Sequence, residues 1–109
     1  MLILLESKAT EDQIEKVSAD LEGYIKFVVD LEKEIMTIGG LRHVDGEQLL
    51  LKMDSKQQNL WGGGIDWETK EVDFDSMINI RPNQGNTSRE VLSPDIRQQM
   101  QEIVKKLLL

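Results

Sequence analysis

Tyr24–Ile38, read as YIKFVVDLEKEIMTI, decides the fold. From Tyr24 to Leu31 the pattern has period two: Ile25, Phe27, Val29 and Leu31 point one way, and Tyr24, Lys26, Val28 and Asp30 the other. β-Branched and aromatic residues fill both sets, which predicts a strand. Ile35–Ile38 is a second apolar run, reached through the charged turn Glu32–Glu34. The two strands are expected to form a hairpin, although the turn lacks the Gly or Asn that tight hairpins favour.

Working toward the N-terminus, Gly23 fits the residue just past a helix end. The helix before it opens at Thr10, with Gln13 three residues on as a capping box, and sets Ile14, Val17 and Leu21 on one face. Met1–Leu5 reads as a short buried strand. Toward the C-terminus, Gly39-Gly40 breaks the hairpin pattern. Asp45, with Gln48 as partner, is the expected cap of a short helix carrying Leu49, Leu50, Leu51 and Met53. In Leu60–Trp67 the three glycines Gly62–Gly64 predict two short strand pieces around a bulged centre. Val72–Ile80 alternates most regularly and predicts a long strand ended by Pro82. Ser93 caps the last helix, with Pro94 in its first turn and the stripe Ile96, Met100, Ile103, Val104 and Leu107.

The order β-α-β-β-α-β-β-α describes an α+β fold, a mainly antiparallel sheet of four or five strands with three helices packed on one face. A chain of 109 residues without a linker or an internal repeat is read as one compact domain, 1–109. The polar sheet face, with Lys26, Asp30, Asp73, Asp75 and Asn79, is expected to stay wet, or to carry a patch of Tyr24, Val28 and Met77 for a second subunit.

Composition excludes several classes of function. No cysteine means no disulfide scaffold, thiolate zinc site or cysteine nucleophile, and the single histidine, His43, cannot build a multi-imidazole metal cage. A net charge of −7 argues against nucleic acid and anionic membrane as partners. No apolar run approaches the roughly 20 residues of a membrane span, and no leader pattern is visible, so a soluble cytoplasmic protein is expected. Phosphate-loop, zincin and nucleophile-elbow motifs are lacking, and no catalytic residue, metal or cofactor is assigned. His43, Asp45 and Glu47 offer one imidazole and two carboxylates, a set better explained by a helix start than by a metal.

The unusual segment is Arg81–Arg89, RPNQGNTSR, with two arginines, no acid and no large apolar side chain. A guanidinium gives a carboxylate or phosphate a bidentate fork. Arg81, Gln84, Asn86 and Ser88, with Trp61 and His43 as walls, are therefore the candidate ligand-binding set. The competing reading has the loop tying itself down, with Arg81 paired to Asp73, Asp75 or Asp66. Two functions follow. One is a non-enzymatic binding or protein-interaction module, expected as a homodimer because it has edge strands. The alternative is a small anionic-ligand-binding protein or enzyme with its site at the Arg81–Arg89 loop.

Leu21–Glu32 (LEGYIKFVVDLE), Asn59–Gly62 (NLWG) and above all Ile78–Asn86 (INIRPNQGN) resemble a domain-of-unknown-function family of short bacterial proteins, cyanobacterial members included. Glu34 stands where that family is expected to carry a turn glycine. The resemblance implies a small stand-alone domain and no inherited catalytic residue, and it directs attention again to Arg81, Gln84 and Asn86.

Overall fold

A computed structural model describes residues 1–109. Five strands and three helices follow the expected order: β1 (Leu2–Leu5), α1 (Glu11–Asp20), β2 (Tyr24–Asp30), β3 (Ile35–Gly39), α2 (His43–Lys52), β4 (Leu60–Asp66), β5 (Val72–Asp73) and α3 (Pro94–Leu107). The strands form one sheet in the order β1-β3-β2-β4-β5, every neighbouring pair antiparallel. The α+β reading is therefore correct. No helix is long and apolar enough to cross a membrane.

The hairpin forms as its alternation demands, with Val29 opposite Met36 and Phe27 opposite Ile38. Its turn is held by Asp30, whose Oδ1 accepts from the N–H groups of Glu32 and Lys33 and whose Oδ2 accepts from Ser55 Oγ at 2.6 Å. Glu34 closes the turn at φ 55°, a left-handed conformation in which glycine is at ease and glutamate is not.

Both faces of the sheet are covered, a correction to the one-sided packing inferred from the strand patterns. Ile25, Phe27 and Val29 of β2 join Ile38 and Ile65 in the main core, together with Ile14 and Val17 of α1 and Met100, Ile103 and Val104 of α3. Across the sheet, Val28 and Leu60 meet Leu50 of α2 in a smaller cluster. The face expected to stay wet is closed over at Val28 and Asp30, each 1 % exposed. Only its Tyr24–Lys26 end remains open. The capping box of α1 is present, with Thr10 Oγ1 accepting from Gln13 N–H and Gln13 Oε1 from Thr10 N–H. Ser93 caps α3 as read.

Three local expectations change. First, α2 begins at His43, not at Asp45. Arg42 is its N-cap and provides no side-chain cap. Gly39 and Gly40, at φ 87° and 85°, turn the chain sharply out of β3, and the helix starts early enough to turn Gly46, Glu47 and Leu50 inward. A Cβ at Gly46 would lie 2.3 Å from Thr37 Oγ1, so glycine lets the helix settle on the sheet. Second, β4 is unbroken through Gly62–Gly64 and pairs with β2 from Asp30↔Leu60 to Tyr24↔Asp66. The space a glycine leaves is filled from neighbouring elements, by Tyr24, His43 and Ser76 on one face and Phe27 on the other.

Third, the long strand predicted over Val72–Ile80 ends at Asp73. Ser76 Oγ accepts from Ile78 N–H and starts a single 3-10 turn, Met77–Asn79. Beyond that point β4 receives side chains where a neighbouring backbone would lie. Asn79 Oδ1 accepts from Gly62 N–H at 2.8 Å while its Nδ2 donates to Gly62 O at 2.9 Å, so one carboxamide does the work of a peptide group in a ladder. Arg81 Nη2 donates to Leu60 O, the next outward carbonyl along the strand.

Candidate functional site

Arg81 is buried with its guanidinium bonded to this chain alone. Nε donates to Ile78 O at 3.1 Å, Nη1 to Gln57 O at 2.7 Å and to Gln84 Oε1 at 3.1 Å, and Nη2 to Leu60 O. Its plane stacks 4.4 Å from the centre of the Trp61 ring, itself buried. No carboxylate reaches it, which differs from the pairing with Asp73, Asp75 or Asp66 weighed from sequence. Burial lowers the Arg81 pKa, opposed by the charge of Glu47.

The rest of the loop is committed in the same way. Gln84 Nε2 donates to Gln58 O. Asn86, 4 % exposed, offers Nδ2 to the carbonyls of Asn79, Ser88 and Glu90 and accepts from Leu92 N–H. Ser88 Oγ accepts from Glu90 N–H. Arg81 and Asn86 exchange both backbone hydrogen bonds, and Gly85 at φ 75° makes the turn between them. Four of the six sequence-predicted residues, Arg81, Trp61, Gln84 and Asn86, do come together, around the outer edge of β4. Ser88 follows Asn86 there. His43 lies elsewhere.

His43 lines a cleft of about 410 Å³ between the start of α2 and the Asp75–Ile78 segment. The floor is β4. Lys26 stands opposite Gly64, and the Tyr24 ring lies over Gly64 so closely that a Cβ there would meet Tyr24 Oη at 1.8 Å. A Cβ at Gly62 would come within 3.1 Å of His43 Cδ2. Two side-chain-free positions thus admit the phenol and the imidazole to the floor. Val44, Met77 and Ile78 supply apolar wall, while Arg42 and Arg89 stand at the rim.

Polar contacts hold this floor. Tyr24 Oη donates to Asp73 Oδ2 at 2.6 Å. Burial, then the hydrogen bond to Asp73 and the charges of Asp73 and Asp75, push the phenol above its ordinary pKa, so it is a neutral donor. His43 Nε2 lies 2.7 Å from Gly63 O, and a carbonyl can only accept, so Nε2 carries the hydrogen. Burial lowers the His43 pKa first of all, Lys26 lowers it further, and Gly63 O, Asp73 and Asp75 oppose. Lys26 Nζ donates to Leu41 O at 2.7 Å and has no carboxylate within ion-pair distance. Arg42 and Arg89 are paired with Asp45 and Asp75, at 3.3 and 3.1 Å.

Sequence reasoning placed His43 in a site but missed Tyr24, Lys26 and Ile78. The usable signal was the glycine run: three glycines in a strand beside a Tyr-x-Lys strand leave a trough where large polar side chains can lie.

The chain matches the model of the family described as protein of unknown function (DUF5674) over residues 3–107. It belongs to DUF5674. The match spans nearly the whole chain and so covers both the Asn79–Arg81–Asn86 knot and the cleft. No curated protein and no solved structure matches the chain.

Proposed function

We propose that this DUF5674 chain is a binding module that seats a small molecule in the cleft lined by Tyr24, Lys26, His43 and Ile78. One observation carries the reading. A central strand gives up three side chains, at about 0.5–1 kcal/mol each relative to alanine, and the space at two of them is taken by Tyr24 and His43, which this seating brings into the cleft lining. The module reading is favoured over an enzyme, since the cleft has no nucleophile activated by a base. The alternative site, the Arg81–Arg89 loop, is disfavoured because its donors are already bonded within the chain. A thermal-shift screen against a metabolite library tests this. Compounds that raise the wild-type melting temperature should lose their effect in Met77→Trp, which fills the cleft mouth from an exposed position. They should keep it in Gln84→Ala. The reverse result would move the site to the loop.

A second reading, self-association as a homodimer, is supported by the two unequal edges of the sheet. The β4 edge is sealed by β5, Asn79 and Arg81. At the opposite edge, Gly40 N–H donates to Met1 O, and this sets the phase of the β1–β3 ladder. Leu2 and Leu4 then turn their N–H and C=O groups away from β3, along an apolar four-residue strand without the charge or proline that guards an edge. Two copies would join β1 to β1 antiparallel about a two-fold axis. Sedimentation equilibrium should give a dimer for wild type and a folded monomer for Leu2→Pro, which removes one outward N–H; a wild-type monomer at all concentrations tested overturns it.

A further inference from the structure

We propose that the cleft receives an oxyanion, a carboxylate or phosphoryl group on an apolar body, between Lys26 and His43, and that the anion enters together with one proton. The inference rests on the cleft being a binding site and names the chemistry of its guest.

Charge is the first ground. The chain is net −7, yet the cleft lining carries Lys26, Arg42 and Arg89 against the single acid Asp75. The two arginines are partly neutralised by Asp45 and Asp75. Lys26 is not. One of its three N–H groups goes to Leu41 O, and the other two have no partner in the chain. An ammonium without a counterion, beside Val44, Met77 and Ile78, is matched by an anionic head whose apolar body lies on that wall.

The proton follows from His43. With Nε2–H spent on Gly63 O, the nitrogen left for a guest is Nδ1, which in the neutral ring is a bare lone pair. A lone pair repels an oxyanion, whereas an N–H⁺ there donates to it. Burial first, then Lys26, disfavour the charged ring, opposed by Gly63 O, Asp73 and Asp75, with Arg42 and Arg89 adding positive charge at the rim and Tyr24 neutral. A bound anion offsets Lys26 and makes the imidazolium favourable. A solvent proton then moves onto Nδ1, no other bond changes, and the guest's charge is shared between Lys26 and His43. The linkage is reciprocal: whatever raises the affinity of His43 for its proton is repaid as affinity for the anion.

Inorganic sulfate is the probe, because it stays doubly ionised across the range in which histidine titrates. The full chain is titrated with sulfate at constant ionic strength and followed by amide chemical shifts. Binding should perturb Lys26, Val44 and Ile78 and tighten as the pH falls from about 8 to about 5.5, by at most about tenfold per pH unit for one linked proton. Lys26→Met should weaken binding about tenfold or more, and His43→Gln should bind with no pH dependence. Calorimetry on the wild type in two buffers of different ionisation enthalpy should register proton uptake, a readout independent of how well His43→Gln folds. Wild-type affinity that ignores pH, or a Lys26→Met variant that binds sulfate as wild type does, overturns the proposal. Neutral aromatic fragments are titrated in parallel. If they perturb the cleft amides and sulfate does not, the anion inference is wrong and the cleft reading stands; if neither does, both are wrong.

Discussion

Asn79→Ala tests whether side chains truly replace a missing strand along β4. Asn79 is fully buried. Its Oδ1 accepts from Gly62 N–H, and its two amide hydrogens are shared among the carbonyls of Gly62, Phe74 and Arg89 at 2.9 to 3.1 Å. Three hydrogen bonds at about 1 kcal/mol each give about 3 kcal/mol. A buried Gly62 N–H left without an acceptor adds about 1 kcal/mol or more. The expected loss is about 4 kcal/mol, a large share of the roughly 5–15 kcal/mol that holds a domain folded. In urea, with a slope near 2 kcal/mol per molar, the midpoint should fall by about 2 M at unchanged slope. Asn79→Asp is the discriminating control. It keeps the shape and the acceptor for Gly62 N–H but turns oxygen, in place of N–H, toward three carbonyls, and it should cost at least as much as alanine. Amide exchange at Gly62 should quicken in both variants. A loss below about 1 kcal/mol in Asn79→Ala, or a tolerated aspartate, would show that the carboxamide only fills space and that β4 needs no edge partner.

Glu34→Gly should raise stability by about 1 kcal/mol, since it relieves a left-handed glutamate at φ 55°; the gain is read from the denaturation midpoint and is partly offset by the freer unfolded chain. Gly64→Ala should cost about 1–3 kcal/mol and break the Tyr24–Asp73 hydrogen bond, because its methyl would fall 1.8 Å from Tyr24 Oη; the change in tyrosine ultraviolet absorbance reports the ring leaving. His43 resists protonation in the folded chain, so the unfolded chain binds that proton more tightly. Its contribution to stability is therefore complete above the unfolded histidine pKa of about 6.5 and is lost as the pH falls through the lower folded value. Denaturation midpoints of wild type should decline over that interval relative to His43→Gln.

Much of the architecture was legible because local and global demands agree. The period-two run of β2 put Ile25, Phe27 and Val29 into the main core as read, and the caps at Thr10 and Ser93 opened the helices they announced. The start of α2 was not legible. Asp45 has the residue type of a cap but lies in the first turn, and what locates the helix is Gly46 fitting against Thr37, a tertiary contact. Nor was the continuity of β4. Glycine weakens a strand on its own, and only the positions of Tyr24, Phe27 and His43 above and below it supply the packing that the glycines lack.

The segment 72–81 was misread for a deeper reason, and the same reason bears on the site. Its alternation is real: Asn79 and Arg81, two residues apart, both face the edge of β4. Sequence periodicity records which way side chains point; it does not record whether backbone or side chain makes the bonds to the neighbouring strand. Because β5 stops at Asp73, the outward groups of Gly62 and Leu60 would be buried without partners, a cost the fold cannot carry. A carboxamide matches one peptide group, and a guanidinium can reach three carbonyls from one position. The residue types that could clasp an outside carboxylate are the types that can stand in for a missing strand, and the chemistry of Arg81, Gln84 and Asn86 alone does not separate the two. What separates them is where the fifth strand ends. That depends on Ser76 turning the chain at Met77, a local hydrogen bond inside an otherwise regular β pattern. The opposite holds at Lys26, an ordinary exposed lysine in the sequence. It is the cleft's unpaired cation because the carboxylates around the cleft, Asp45, Asp73 and Asp75, are already engaged with Arg42, Tyr24 and Arg89.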